Sequence, residues 1–260
     1  MYVAQVKFTA ANKALYDQFE ERLSHSIYGL FGAWRQNGQI LISPTVLAIK
    51  KTGISGFVNL PDKDALTRNY DNVYVQNAYK ELTKAGLRKP VVNLLSDIST
   101  EGENCRCINR KGFILMTTFL WENSPLHCSQ CFGAIPLYQI PHTNQDDYYD
   151  LLQWQNDYQA CDTLQMGSET GQRFAIREMG NLISSLSKRG LRICEQINAL
   201  TGKPVYYYLY RYHGKNYEME LKRKCPSCNG EWLLKKPWHG KFNFRCKRCR
   251  LLSNVAWDLR

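Results

Sequence analysis

Long apolar runs are missing from this chain of 260 residues. The densest, Gly112–Leu120, is far short of the ~20 residues that a bilayer-spanning helix needs, which excludes a transmembrane span and gives no reason to expect a membrane partner. The opening residues, Met1-Tyr2-Val3-Ala4-Gln5-Val6-Lys7, reach charge without the apolar core of a secretory signal, so the expected location is the cytoplasm. Histidine is scarce, with five in the chain. His25 stands alone, and no nucleophile is set beside a base in a recognisable motif, so no enzymatic activity is expected. Acidic residues are almost missing from one end: residues 221–260 hold 11 Lys and Arg against 2 Asp and Glu, whereas the first 220 hold 23 against 21. The net charge of +11 therefore resides mainly in that last segment. With 44% hydrophobic and 22% charged residues, the remainder is ordinary for a globular chain able to build its own core.

Cysteine, in contrast, is plentiful at ten residues. In a reducing compartment such a number points to metal ligands and buried thiols before disulfides. Cys225-Pro226-Ser227-Cys228 and Cys246-Lys247-Arg248-Cys249 are two Cys-x-x-Cys turns separated by seventeen residues, a spacing that can set four thiolates tetrahedrally around one zinc. Gly230 suits the tight turn after the first of them. Cys105-Arg106-Cys107 and Cys128-Ser129-Gln130-Cys131 flank a strand-like run and form a second candidate set, in which His127 is an alternative ligand. Two zinc ions are expected. With four sulfur ligands each, neither would keep an open position for catalysis.

The chain order suggests an α+β protein. Tyr2, Ala4, Val6 and Phe8 alternate as in a half-buried strand, and Leu15, Phe19 and Leu23 recur at helical spacing. Asn37-Gly38 before Gln39–Ile42 reads as a hairpin turn. Gly56–Leu60 reads as a strand stopped by Pro61; Val75, Ala78, Tyr79 and Leu82 as a helix face ended by Gly86; and Val91–Leu95 as a strand. This makes residues 1–100 an α/β sandwich-like unit, for which a ferredoxin-like arrangement is one candidate. Residues 101–141 form the first zinc-binding segment. Within 142–220, Thr143 and Asp146 resemble a capping box ahead of Leu151, Trp154, Tyr158 and Cys161. A second helical tract runs from Met179 to Leu200 with a break at Gly190 and a stop at Gly202 and Pro204, so a helical hairpin is expected. Asp146, Asp147 and Asp150 read as first-turn carboxylates, and Cys161 and Cys194 as buried thiols. Val205–Tyr212 is an aromatic strand, and residues 221–260 form the C-terminal zinc ribbon.

Cys128–Tyr138, Trp154 and Tyr158, Leu186–Gly190, Thr201–Tyr208 and Cys225–Cys228 together resemble a family of uncharacterised bacterial proteins described as containing a zinc ribbon and proposed to bind nucleic acid. The resemblance covers roughly residues 100–250. It implies zinc and does not imply a reaction.

Two classes of function fit these features. In the first, the basic ribbon binds nucleic acid, with Lys222, Arg223, Lys224, Lys235, Lys236, Lys241, Arg245, Lys247, Arg248 and Arg250 meeting phosphates and some of Trp232, Trp238, Phe242 and Phe244 stacking on bases. In the second, the protein is a non-catalytic adaptor or an inhibitor of the immunity type, and its partner is another protein.

Overall fold

A computed structural model describes residues 1–11, 21–44, 46–50, 53–97, 104–167 and 169–259, with only the backbone described for 21 and 22. The chain divides into two compact units. The first comprises residues 1–104, 122–124 and 136–149; the second comprises 105–121, 125–135 and 150–260.

In the first unit the described elements run β1 (Tyr2–Phe8), α1 (Glu21–Gln36), β2 (Ala48–Lys50), β3 (Gly53–Leu60), α2 (Val73–Lys84) and β4 (Val91–Asp97). The sheet has the order β2-β3-β1-β4, with every neighbouring pair antiparallel. This is the split βαβ arrangement of a ferredoxin-like unit. The two-residue alternation of β1 buries Ala4, Val6 and Phe8 completely. Phe8, Phe31 and Trp34 continue the core as edge-on ring contacts at 5.6 and 5.8 Å. Leu15 and Phe19, the start of the expected helical stripe, lie outside the described residues.

Asn37-Gly38 is not a hairpin turn. Gly38 has φ +68° and follows α1; its N–H donates to Arg35 O at 3.0 Å, and Gln39 N–H donates to Trp34 O at 2.9 Å. These bonds close a helix by the Schellman pattern. Both uses need a left-handed glycine, so the dipeptide alone does not separate them. The residues after it do not form a strand either: Asn37 and Gln39 are fully buried, with Asn37 Nδ2 donating to Gln39 Oε1 (2.8 Å) and Gln39 Nε2 to Ala65 O (3.0 Å).

The second unit contains β5 (Phe113–Leu115), β6 (Leu126–Cys128), α3 (Tyr149–Gly167), α4 (Gln172–Gly180), α5 (Ser185–Thr201), β7 (Val205–Leu209), α6 (Tyr217–Leu221), β8 (Leu233–Trp238), β9 (Phe242–Cys246) and β10 (Leu251–Ser253). Its six strands form one sheet in the order β6-β5-β7-β10-β9-β8, with β7 parallel to both of its neighbours. The segments divided in the sequence as 101–141, 142–220 and 221–260 thus contribute strands to a single sheet. Main-chain hydrogen bonding across β7 joins them.

Helix α3 begins beyond the expected capping box, and Asp147 Oδ1 accepts from Tyr149 N at 3.0 Å. The second helical tract breaks at residues 181–184 and not at Gly190. Ser184 caps α5 by accepting from Ser187 N at 3.1 Å. Gly190 lies inside α5, where a helix residue with a side chain would collide with Tyr207 and Trp154. β7 stops at Leu209, and Tyr210 N donates instead to Met179 O. Among the described residues, no helix is long and apolar enough to cross a membrane.

Candidate metal centres

Both predicted cysteine sets assemble. The four sulfurs of Cys105, Cys107, Cys128 and Cys131 lie within 4.8 Å of one another, as do those of Cys225, Cys228, Cys246 and Cys249. Ligands at about 2.3 Å in a tetrahedron stand about 3.8 Å apart; Cys228 Sγ and Cys246 Sγ are separated by 3.7 Å. All ten cysteines are free thiols. The residues fit a metal ion, and each set could hold one.

The local backbone explains how each Cys-x-x-Cys turn presents its sulfurs. The residue after the second cysteine is left-handed in all three turns: Phe132 (φ 62°), Asn229 (φ 55°) and Arg250 (φ 54°). Left-handed non-glycine residues are uncommon, and at Asn229 the side chain type is one of those that tolerate the conformation. Asn229, not Gly230, therefore supplies this feature of the first C-terminal turn. Two turns share the same bonding. Cys128 N donates to Gly133 O and Phe132 N to Cys128 O, while Cys225 N donates to Gly230 O and Asn229 N to Cys225 O, all at 2.9 Å. Backbone N–H groups reach the sulfurs as well: Gly133 N to Cys131 Sγ (3.4 Å), Gln130 N to Cys128 Sγ (3.4 Å) and Cys249 N to Cys246 Sγ (3.3 Å). Such donors orient the ligands and offset part of their negative charge.

When no cation is present, hydrogen bonding and burial shift thiols of one set in opposite directions. The Gly230 backbone N–H, followed by a hydrogen bond with Cys249, brings the Cys228 thiol down to about 7. At Cys105 burial opposes ionisation, but hydrogen bonds from Arg110 and the Cys107 backbone outweigh it and leave the thiol at about 7. Burial pushes Cys131 and Cys246 up to about 12. A cation would release the remaining protons, because four clustered thiolates repel one another without one.

His127 is not a ligand in this arrangement. It is buried, its Nδ1 donates to Phe132 O at 3.2 Å, and its ring stacks on Phe132 at 4.7 Å. Phe132 also meets Phe242 edge-on at 5.6 Å, and His239 Nε2 donates to Ser129 O at 3.0 Å. The C-terminal ribbon thereby packs on the turn that carries Cys128 and Cys131. This contact had no signal in the spacing of the residues.

The basic residues of the ribbon divide by environment. Arg223 is largely buried between the rings of Trp232 and Phe244, at 4.7 and 4.3 Å from their centroids, and it bonds Glu220, Ser253 Oγ and Asn254 O. It holds the ribbon together and is not placed to meet a phosphate. Arg250 donates to Asn198 Oδ1 at 2.5 Å, another internal contact. Arg245 lies over Trp238 at 4.6 Å, and Lys241 is 5.7 Å from both Trp121 and Phe132. Lys222 pairs with Glu218 at 2.5 Å, and Lys224 pairs with Glu231. Lys235, Lys236, Lys247 and Arg248 are exposed. Of the aromatics, Trp232, Phe242 and Phe244 are buried in the ribbon.

These features define an α+β protein with a ferredoxin-like unit and a second unit carrying two four-cysteine centres on one sheet. Three families described as domains of unknown function match successive segments: DUF8589 over residues 1–96, DUF2310 over 107–210 and DUF8594 over 214–259. An uncharacterised protein of Haemophilus influenzae is 34% identical over 267 aligned residues, which cover 99% of each chain. A second uncharacterised protein of that organism is 42% identical over 149 residues, covering 56% of this chain and 71% of its own. The chain belongs to the same bacterial family as these proteins. No solved structure matches it.

Proposed function

We propose that this is a cytoplasmic zinc protein in which both four-cysteine centres have a structural task, and that the C-terminal ribbon binds nucleic acid through phosphate contacts. Four sulfur donors in a tetrahedral set suit zinc, and a full ligand set leaves the metal no position for an activated water. The observation that carries the nucleic-acid reading is the exposure of Lys235, Lys236, Lys247 and Arg248 on one small module. Among the described residues, no ion pair engages any of the four. Clustered, uncompensated cations of this kind bind polyanions with strong salt dependence.

The test is the affinity for mixed-sequence single-stranded and duplex oligonucleotides across a salt series. Reversing the four residues to Glu should weaken binding and flatten the logarithmic salt slope by about 3, at roughly 0.7–0.9 per phosphate contact. Absence of wild-type binding at low salt would overturn the reading. A protein-binding adaptor or inhibitor is the second reading. It is favoured by β4, which among the described residues is an edge strand of its sheet and has Val91, Leu94 and Leu95 exposed, since an apolar edge strand is suited to pairing with another chain.

A further inference from the structure

The second unit contains a cleft of about 430 Å³, lined by parts of α3, the segment after β5, the end of β7 and the C-terminal ribbon. None of the clustered cysteines lines it. Its size falls within the range of small-molecule pockets, about 300–1,000 Å³. Phe119, Trp121, Tyr158 and Trp257 bring rings to the lining, and Asp162, Gln165 and Lys241 bring polar groups.

Asp162 is a buried acid that no ion pair engages among the described residues. Its Oδ2 accepts from Phe119 N at 2.9 Å, and burial raises its carboxyl above the ordinary carboxylate value against that hydrogen bond. A carboxylate has room for several donors, and an ionised one held away from water is costly until a cation meets it. Gln165 stands three residues further along α3, so the two side chains are neighbours on one face. It too is buried, with Oε1 enclosed and unpartnered, so the accessible atom of its amide is the donor Nε2. The wall therefore offers an unbalanced negative charge beside a neutral donor.

The surrounding wall is held in place. Gln159 Nε2 donates to Thr118 O at 3.0 Å and to Trp121 O at 2.6 Å, fixing the segment after β5 against α3. Tyr208 Oη donates to Asn254 Oδ1 at 2.9 Å. A site whose supporting groups are already bonded can select a ligand by shape and charge. Lys241 Nζ lies 5.7 Å from the centre of the Trp121 ring, and among the described residues no ion pair engages it. A positive charge thus borders the ring-lined part of the cleft.

We propose that this cleft binds an α-amino acid with a large apolar side chain. Its ammonium meets Asp162, a carboxyl oxygen accepts from Gln165 Nε2 in the field of Lys241, and its side chain packs among the rings. An α-amino acid sets a cation and an acceptor on either side of one carbon, which suits two neighbouring side chains on one helix face. A nucleobase also carries a donor beside an acceptor, but it leaves the charge of Asp162 without a counter-ion. Hydrogen bonds assisted by charge are roughly twice as strong as neutral ones, so the ammonium is the better match. A simple anion is repelled by Asp162. A simple organic cation suits rings and a carboxylate, yet it brings no acceptor to Gln165 Nε2 or Lys241.

The proposal does not rest on the nucleic-acid reading. Two sources carry this chemistry: a free amino acid, and the first residue of a peptide, whose carbonyl oxygen takes the place of the carboxylate. Calorimetric titration and tryptophan fluorescence of the purified chain with L-phenylalanine and L-phenylalaninamide separate them. A tenfold or greater preference for the carboxylate assigns the free amino acid, and a smaller preference or none assigns the peptide end. Glycine, N-acetyl-L-phenylalanine and 3-phenylpropionate should each bind at least tenfold more weakly than the better of the two. Asp162→Asn should weaken that ligand by about tenfold or more and Gln165→Met by about threefold or more, as expected for a charged and a neutral hydrogen bond. Asp162→Asn should also strengthen 3-phenylpropionate binding by removing the repelling charge, which general damage to the cleft would not do; circular dichroism establishes that each variant is folded. No saturable binding of either phenylalanine ligand, equal binding of the N-acetyl compound or of AMP, or an affinity unchanged in folded Asp162→Asn overturns the proposal.

Discussion

Gly190 and Tyr207 touch with no space between them: a Cβ on the glycine would fall 2.2 Å from Cε2 of the tyrosine. Two opposing effects act at this position. Alanine improves helix propensity by roughly 0.5–1 kcal/mol over glycine, whereas overpacking a filled core costs about 1–3 kcal/mol. The rigid ring and the neighbouring Trp154 Nε1, 2.7 Å from the same Cβ, make overpacking the stronger of the two. Gly190→Ala should lower stability in a urea titration. Gly29→Ala, on α1 with nothing within 4 Å of its Cβ, should raise stability by about 0.5–1 kcal/mol. A stabilising Gly190→Ala would contradict the helix–sheet contact.

Metal removal should affect the two units unequally. Elemental analysis of the purified protein should give two zinc ions per chain, and one ion would discard the Cys105/Cys107 set. Cys228→Ser should then lower hydrogen-exchange protection in β9 and β10 and also in β7, because β10 pairs with both β9 and β7. Protection in β1 and β3 should remain. Damage confined to residues 221–260 would argue against the shared sheet.

Arg223 should behave as a stability residue. Its removal leaves buried Glu220 with Arg211 at 3.3 Å as the remaining cation and takes the contact away from both Trp232 and Phe244. Breaking a buried pair costs about 3–5 kcal/mol, and the remaining arginine favours the lower end. Arg223→Ala should therefore destabilise by about 3 kcal/mol without altering the salt slope of strand binding. A change in slope at unchanged stability would return Arg223 to the phosphate contacts.

Asp162 predicts an unusual pH dependence. Burial raises its carboxyl, so the folded state holds the proton more tightly than the unfolded state does. The resulting destabilisation is present in full at neutral pH and disappears as pH falls through the folded value toward the ordinary one, since stability falls with rising pH wherever the native state binds more protons. Asp162→Asn should be more stable than wild type at neutral pH, with the difference shrinking on acidification. Denaturant midpoints of both proteins over a pH series give the answer; a difference that grows in acid contradicts it.

The cysteine spacings were sufficient to find both sulfur sets, because a metal site imposes short-range geometry that sequence separation records. β1, α2 and the stop at Gly202 were equally legible, each from strict periodicity or a terminal glycine. Asn37-Gly38 misled because a hairpin and a helix end need the same left-handed backbone. β10 was not legible at all: three residues, Leu251-Leu252-Ser253, are too few to show a period. Without β10, nothing joined the ribbon to the aromatic strand, and Arg223 remained one cation among many. The bond from Phe119 N to Asp162 was hidden for a related reason, since the two residues are distant in sequence and meet only in the folded unit.

The position of β10 has a consequence for biosynthesis. Residues 251–253 lie between β7 and β9, so a nascent chain that has produced β5 and β7 still shows an open strand edge where its last strand belongs. Pairings such as Phe113 with Val205 and Tyr207 with Leu251 close long loops, which slows folding. The second unit must wait for nearly its whole length to leave the ribosome, and during that interval its apolar central strand is open to aggregation and to chaperone capture.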